Sequence, residues 1–225
     1  MAKILLIETA TTVSSVAVSV DGHCAHVEHS GHANRHAEDL LQMVEKVFAS
    51  TGLQYSELNA IAVSAGPGSY TGLRIGVSLA KGLCYASEIP LLAISTLEIM
   101  AMGTIRRNPH HKGYVCPMID ARRMEVYSAV FNHKGQRISD DLPLIFDDGY
   151  TWPFSDAGSV CFTGNGVQKA MVFLSQVPQS CYEPEGVPDA EDMAALAETK
   201  FQLKRFEDLA WFEPAYLKPF QSKHS

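Results

Sequence analysis

The chain has 225 residues, 46% of them hydrophobic, which is ample for a packed core in one large or two small domains. Eighteen basic residues against twenty-five acidic ones give a formal charge of -7, which excludes nucleic-acid binding by bulk charge; any such contact has to be local or supplied by a partner. Five scattered cysteines without a C-x-x-C pair exclude a cysteine zinc site and a C-x-x-C redox couple, and they suit a reducing, cytoplasmic setting.

In chain order, Ile4 to Ile7 is an aliphatic run fit for a strand buried on both faces and too short for a signal peptide; no later run is long enough to span a bilayer. Ser14 to Val20 alternates small or polar residues with valine, Asp21-Gly22 marks a turn, and Cys24 to Glu28 returns as a third strand. Ala37, Leu40, Leu41, Val44, Val47 and Phe48 fall at helical spacing, with Gly52 placed to stop the helix. Ala60 to Val63 is a strand, followed by "SAGPGSYTGLRIG" and a helix over Leu73 to Tyr85. A strand, a glycine-rich turn and a helix can aim backbone N–H groups at a phosphate. Equally, Gly66, Pro67 and Gly68 can make a tight turn and Gly72 and Gly76 can let the helix pack closely; the spacing fits neither standard nucleotide fingerprint.

Leu91 to Ile94 is the next strand, and Ser95-Thr-Leu-Glu98 reads as a capping box opening a helix to about Arg106, ahead of a linker-like "RRNPHHKG". Val115 to Ile138 then repeats the order of Ile4 to Val27: buried strand, acid, alternating strand, x-Gly turn, third strand. The acids Glu8 and Asp120 stand 112 residues apart and the turn glycines Gly22 and Gly135 113 apart. A strand over Val160 to Thr163, a Gly164-Asn-Gly166 turn, a short helix, an alanine-rich helix over Glu191 to Phe201 and an irregular "EPAYLKPF" complete the chain. The clustered histidines His23, His26, His29, His32 and His36 read as solvated surface groups, although His32 and His36 have the i, i+4 spacing of a metal pair. No G-x-S-x-G nucleophile elbow and no H-E-x-x-H are present.

The duplicated pattern predicts two alike α/β units, residues 1–107 and 108–225, facing each other across a cleft. That layout resembles the actin, hexokinase and heat-shock-protein ATPase superfamily: tandem RNase H-like domains with mixed sheets flanked by helices.

"ETATTVSSVAV", "GPGSYTGLRIG", "IST", "IDARRMEVY", "AEDM" and "EPAYL" together resemble the TsaB (YeaZ) family in order and spacing over essentially the full length. The resemblance implies a non-catalytic subunit of the machinery that makes N6-threonylcarbamoyladenosine beside the tRNA anticodon. Its implied partners are the catalytic paralogue TsaD and the ATPase TsaE, with tRNA reached through the complex. ATP or ADP and metal are implied only at the level of that complex, with no cofactor or metal held by this chain alone. Working ATPases of the superfamily have Asp-x-Gly in the first hairpin where this chain has Glu8-Thr9-Ala10, so Glu8, Thr9, Ala10, Thr11 and Asp120 are expected to line a degenerate nucleotide cleft. TsaD also has a metal-holding His-x-x-x-His where this chain reads "STLEIMA".

The resemblance further implies that the helices over Arg35 to Phe48 and Thr71 to Tyr85 bundle with TsaD. Leu40, Leu41, Val44, Leu73, Arg74, Val77, Ala80 and Cys84 are the expected contacts, with part of each helix face committed to the core. Val77→Glu or Leu41→Glu is then expected to abolish pairing while leaving the monomer folded. The same patch would serve a homodimer in isolation. The competing expectation is an independent ATP-dependent kinase using Glu8, Asp120 or Glu125, against which Ala10 counts.

Overall fold

Residues 2–31, 36–147, 150–152, 154 and 158–217 are described in a computed structural model. The expected pairing of His32 with His36 falls outside the described residues.

The first sheet begins with β1 (Lys3–Glu8), whose side chains from Ile4 to Ile7 are all fully buried. Successive strand residues point to opposite faces. Leu5 and Ile7 therefore join one apolar cluster and Ile4 and Leu6 another. β2 (Ser15–Val20) and β3 (His23–His29) add antiparallel, the turn between them carrying Asp21 and Gly22 at positive φ. After α1 (His36–Thr51) and a short 3-10 turn at Tyr55–Glu57, β4 (Ala60–Ser64) pairs parallel with β1. α2 (Tyr70–Ser87) then leads to β5 (Leu91–Ile94), parallel with β4. The strand order is β3-β2-β1-β4-β5.

The second sheet repeats this plan. β6 (Tyr114–Asp120) pairs antiparallel with β7 (Glu125–Ser128), β7 antiparallel with β8 (Leu142–Ile145), and β6 parallel with β9 (Val160–Thr163). After α4 (Val167–Leu174), β10 (Ser180–Glu183) lies parallel with β9. Taken from the β8 edge, the order is β8-β7-β6-β9-β10, the same topology as the first sheet.

The repeat in the sequence is thus a repeat of structure, with one correction. The Gly135 turn does not introduce the third strand; it closes a small side hairpin in which Phe131 bridges Arg137, and the strand equivalent to β3 is β8. Matching spacing between Gly22 and Gly135 is therefore incidental, whereas Glu8 and Asp120 do end equivalent strands.

The helices do not respect a division after residue 107. α3 (Thr96–Arg107) comes from the first half, yet Leu97, Met100 and Ala101 pack on Val115, Ile119 and Phe131 of the second. In return, a 3-10 turn at Ala190–Met193 and α5 (Ala194–Gln202) cover the first sheet through Ala190, Met193, Ala194 and Ala197. The C-terminal segment continues across the same lobe: Glu207 bridges Leu91, and Leu209 and Phe212 pack on the first core. The boundary at 107 falls between the strands of the two sheets, and α3 and α5 each pack across it.

The expected capping box at α3 is also absent as such. Ser95 occupies the N-cap position without a capping bond. Its Oγ accepts from Arg137 Nη2 at 3.2 Å, and Arg137 Nε lies 3.7 Å from Glu98 Oε1. The guanidinium draws both capping side chains toward itself, because hydrogen bonds to a charged donor exceed neutral capping bonds in strength.

Candidate functional site

The C-terminal end of β1 runs into Glu8-Thr9-Ala10, a turn lying over the glycine-rich loop that opens α2. Ser69 caps α2, accepting at Oγ from the Gly72 N–H at 3.2 Å, while the Ser69 N–H donates to the Ala10 carbonyl at 2.7 Å. A Cβ added at Gly68 would overlap the Ala10 carbonyl, one at Gly72 the Thr9 carbonyl, and one at Gly76 the Thr9 side chain. Gly68 in the loop before the N-cap and Gly72 and Gly76 on α2 therefore stand at four-residue spacing along the surface that receives the protein's own β1–β2 turn. Gly66 has a φ of +103° and sits against the Ala215 carbonyl, and the Ala215 N–H donates to the Ala65 carbonyl at 2.7 Å. Of the two sequence readings, close packing is the one the geometry supports. Ala10 is buried, and the approach a phosphate would need is occupied by backbone. The residues present do not fit a phosphate at this turn.

Glu8 is fully buried. Its Oε1 accepts from the Ala10 N–H at 2.6 Å, and its Oε2 has no hydrogen-bond partner among the described residues. Burial pushes the carboxyl up from 4.5 to about 8; the Ala10 N–H and the Ser64 side chain oppose that rise, and the charge of Asp189 adds to it. A carboxyl held this way is poorly placed to grip a metal or activate a solvent-exposed nucleophile. Around it, the Thr9 N–H donates to Ser64 Oγ at 3.2 Å, and Thr9 Oγ1 and Thr96 Oγ1 are buried without partners among the described residues. Ser64 was not legible as a neighbour of Glu8, because β4 reaches it only through the parallel pairing with β1. Thr11 lies one step outward, half-buried, with its Oγ1 3.4 Å from the Val13 carbonyl.

Asp120 occupies the equivalent place in the second lobe under different conditions. It is exposed, ion-paired to Lys169, and accepts at Oδ1 from the Arg122 N–H at 2.7 Å. The two acids are thus related by topology and separated by environment. Among the described residues, no group of three or more His, Cys, Asp and Glu side chains is placed to hold a metal. Two of the clustered histidines have carboxylate partners instead: His26 Nε2 lies 2.7 Å from Glu28, and His29 Nε2 2.7 Å from Asp189.

The expected contact residues on α1 and α2 divide sharply. Leu40, Val44, Val77, Ala80 and Cys84 are buried in the chain's own first core, and Leu73 is fully buried against the Gly66 turn. Only Leu41, 52% exposed, and Arg74 reach the surface. The apolar spacing that singled these positions out is the spacing of the core stripe. Arg74 is held by aromatic residues: its guanidinium carbon lies 4.0 Å from the Tyr70 ring centroid, and Nε donates to Tyr216 Oη at 3.3 Å. It thereby pins the C-terminal segment to α2. The surface stripe of α2 runs through Arg74, Ser78, Gly82 and Tyr85, residues of mixed polarity that a search for hydrophobic periodicity passes over.

Comparison with known proteins agrees with this architecture. The family model for TsaD, tRNA N6-adenosine threonylcarbamoyltransferase, matches residues 25–148, more than half of the chain. The TsaB protein of Escherichia coli is 41% identical over 130 residues, covering 57% of this chain and 54% of that protein. The TsaB protein of Haemophilus influenzae is 27% identical over 228 residues, covering 96% and 93%. Among solved structures, YeaZ from Pseudomonas aeruginosa superimposes with a TM-score of 0.85 at 29% identity, covering 96% of this chain and all of that one. With its two mixed sheets of matching topology flanked by helices, the chain belongs to the TsaB/YeaZ family of TsaD-related proteins.

Proposed function

We propose that this chain acts in the biosynthesis of threonylcarbamoyladenosine in tRNA, as a non-catalytic subunit that binds and activates TsaD, with TsaE joining the assembly. The observation that carries the reading is the closure of Gly68 and Gly72 on Ala10 and Thr9, which leaves the first lobe without a phosphate floor while keeping the superfamily's fold. A protein that retains this fold and fills its own turn is suited to offering a surface. The alternative of an independent kinase requires a phosphate-approaching glycine in the first hairpin and an acid to serve as base or Mg²⁺ holder; Ala10 stands at the glycine position, Glu8 is fully buried and Asp120 is paired with Lys169.

The surface we assign to TsaD is the outward side of α1 and α2, centred on Leu41, Ser78 and Gly82, with Arg74 and Tyr85 at its ends. Ser78 and Gly82 are exposed and small, and a Cβ at Gly82 meets nothing within 4 Å, so a partner helix can approach the backbone closely. Half-buried Ile75, Leu79 and Leu83 supply apolar flanks. The same face accounts for self-association when TsaD is absent.

The test is calorimetric titration of ATP and Mg²⁺ into the purified chain, alone and mixed with TsaD, with light scattering on the same samples. The expected outcome is no heat from the chain alone and a one-to-one complex that binds nucleotide. Turnover of ATP by the isolated chain would overturn the reading.

A further inference from the structure

We propose that the turn bearing Arg122 and Arg123 is a contact for the phosphodiester backbone of RNA. The inference rests on the proposed role in tRNA modification and names the part of this acidic chain that meets the nucleic acid.

Arg122 and Arg123 are consecutive, exposed, and both at positive φ, 67° and 51°. Side chains other than Gly, Asn and Asp seldom occupy that region. The turn is nonetheless firmly braced from below. The Asp120 N–H donates to Asn165 Oδ1 at 2.8 Å, the Arg122 N–H to Asp120 Oδ1 at 2.7 Å, and the Ala121 N–H to the Glu125 carbonyl at 3.1 Å. Lys169 Nζ bonds the Asp120 carboxylate and donates to the Arg123 carbonyl at 2.9 Å. Lys169 thus neutralises the acid in the turn, and the two guanidinium charges are left uncompensated.

Four other arginines differ in kind, while Arg205, exposed near the C-terminal end of α5, stands alone and without a neighbouring arginine. Arg106 pairs with Glu191 and Asp192, Arg107 with Glu183, Arg137 with Glu98 and Asp141, and Arg74 with two tyrosines. The side chains of Arg122 and Arg123 have no hydrogen-bond or ion-pair partner among the described residues. Two like charges fixed side by side in a chain of charge -7 repel each other and are relieved by an external anion. Guanidinium groups match phosphate oxygens in bidentate fashion, and a backbone held before binding loses little entropy on contact. In the corresponding turn of the first lobe Ala10 is buried against the loop that opens α2, whereas Arg122 and Arg123 are exposed, so the duplicated turns differ in what they present outward.

The experiment replaces Arg122→Asn together with Arg123→Gly, residues that accept positive φ and keep every backbone bond of the turn. The complex assembled with TsaD and TsaE is titrated with labelled unmodified tRNA by fluorescence anisotropy over a salt series, and light scattering monitors assembly. The expected result is an intact complex whose affinity for tRNA falls about tenfold at low ionic strength, with the slope of log K against log salt reduced by about 1 to 2. A variant carrying Arg122→Lys and Arg123→Lys should keep most of the slope. Unchanged affinity and slope in an intact complex overturn the inference and leave the proposed function standing. Loss of protein pairing with tRNA affinity unaltered also overturns it, by identifying the turn as a protein contact. Failure of the unsubstituted chain to pair with TsaD brings down the proposed function, and the inference with it.

Discussion

The Ser69 N–H donates to the carbonyl of Ala10 over 2.7 Å, tying the N-cap of α2 to the turn that follows β1. The glycines beside this bond are there to let two stretches of backbone touch. Gly72→Ala is expected to cost about 3 kcal/mol, because its Cβ would meet the Thr9 carbonyl, backbone of the buried turn that follows β1. Gly82→Ala, on the open side of the same helix, should stabilise by up to about 1 kcal/mol. Urea unfolding of the two variants checks the contrast.

Glu8 predicts a pH dependence. Its carboxyl titrates near 8 in the folded chain against 4.5 when free, so between those values the folded state holds a proton that the unfolded state has released. This contribution is complete below about pH 4.5 and declines by up to about 1.4 kcal/mol per pH unit as pH rises toward 8. Glu8→Gln keeps an acceptor for the Ala10 N–H and removes the titration. Denaturant midpoints of the two proteins should agree at about pH 4.5 and separate by about 8, the variant being the more stable by on the order of 3 kcal/mol. Parallel profiles would refute the assignment.

On α1 and α2, the structure separates two substitutions that sequence spacing treats alike. Val77→Glu places a charge in the first core and should abolish folding of the monomer, contrary to the expectation that it spares it. Leu41→Glu lies on the surface and should leave the melting temperature within a few degrees of the parent while abolishing coelution with TsaD. Gel filtration and thermal melts of both variants provide the check.

Alkylation distinguishes the cysteines. Cys181 is exposed, whereas Cys84 and Cys116 are buried and desolvation pushes their thiols up to about 12. Cys161 is buried and raised by the same cause. Iodoacetamide at about pH 8 should label Cys181 in the native protein and the other three only after unfolding, since the thiolate is the reactive form. Peptide mass spectrometry reads the result.

The C-terminal segment carries unequal weight along its length. Phe212 packs on the first core, and Phe212→Ala should cost about 2 kcal/mol. Its neighbour Trp211 is 83% exposed, so Trp211→Ala should change stability by less than about 0.5 kcal/mol. Chemical denaturation of each variant tests whether the segment belongs to the fold of the first lobe.

Strands buried on both faces were legible from composition alone. Ile4 to Ile7, Ala60 to Val63, Leu91 to Ile94 and Val160 to Thr163 are runs that only a covered sheet accommodates. β8 and β10 escaped because their sequences, LPLI and SCYE, are broken by a proline and by polar residues, unlike LLAI of the equally short edge strand β5. The candidate cleft was legible as a departure from a glycine, at Ala10, without the reason for it.

By itself the sequence determined the two repeated units, the order of their main elements and the family, since local periodicity, turn chemistry and short motifs are written in neighbouring residues. Only the tertiary structure decided which face of each helix is core, that α3 and α5 cover each other's sheets, that the Gly68 and Gly72 positions receive backbone, and that Asp120 is paired while Glu8 is buried. Those properties belong to contacts between segments far apart in the chain, where burial and close approach depend on a neighbour that no local pattern names.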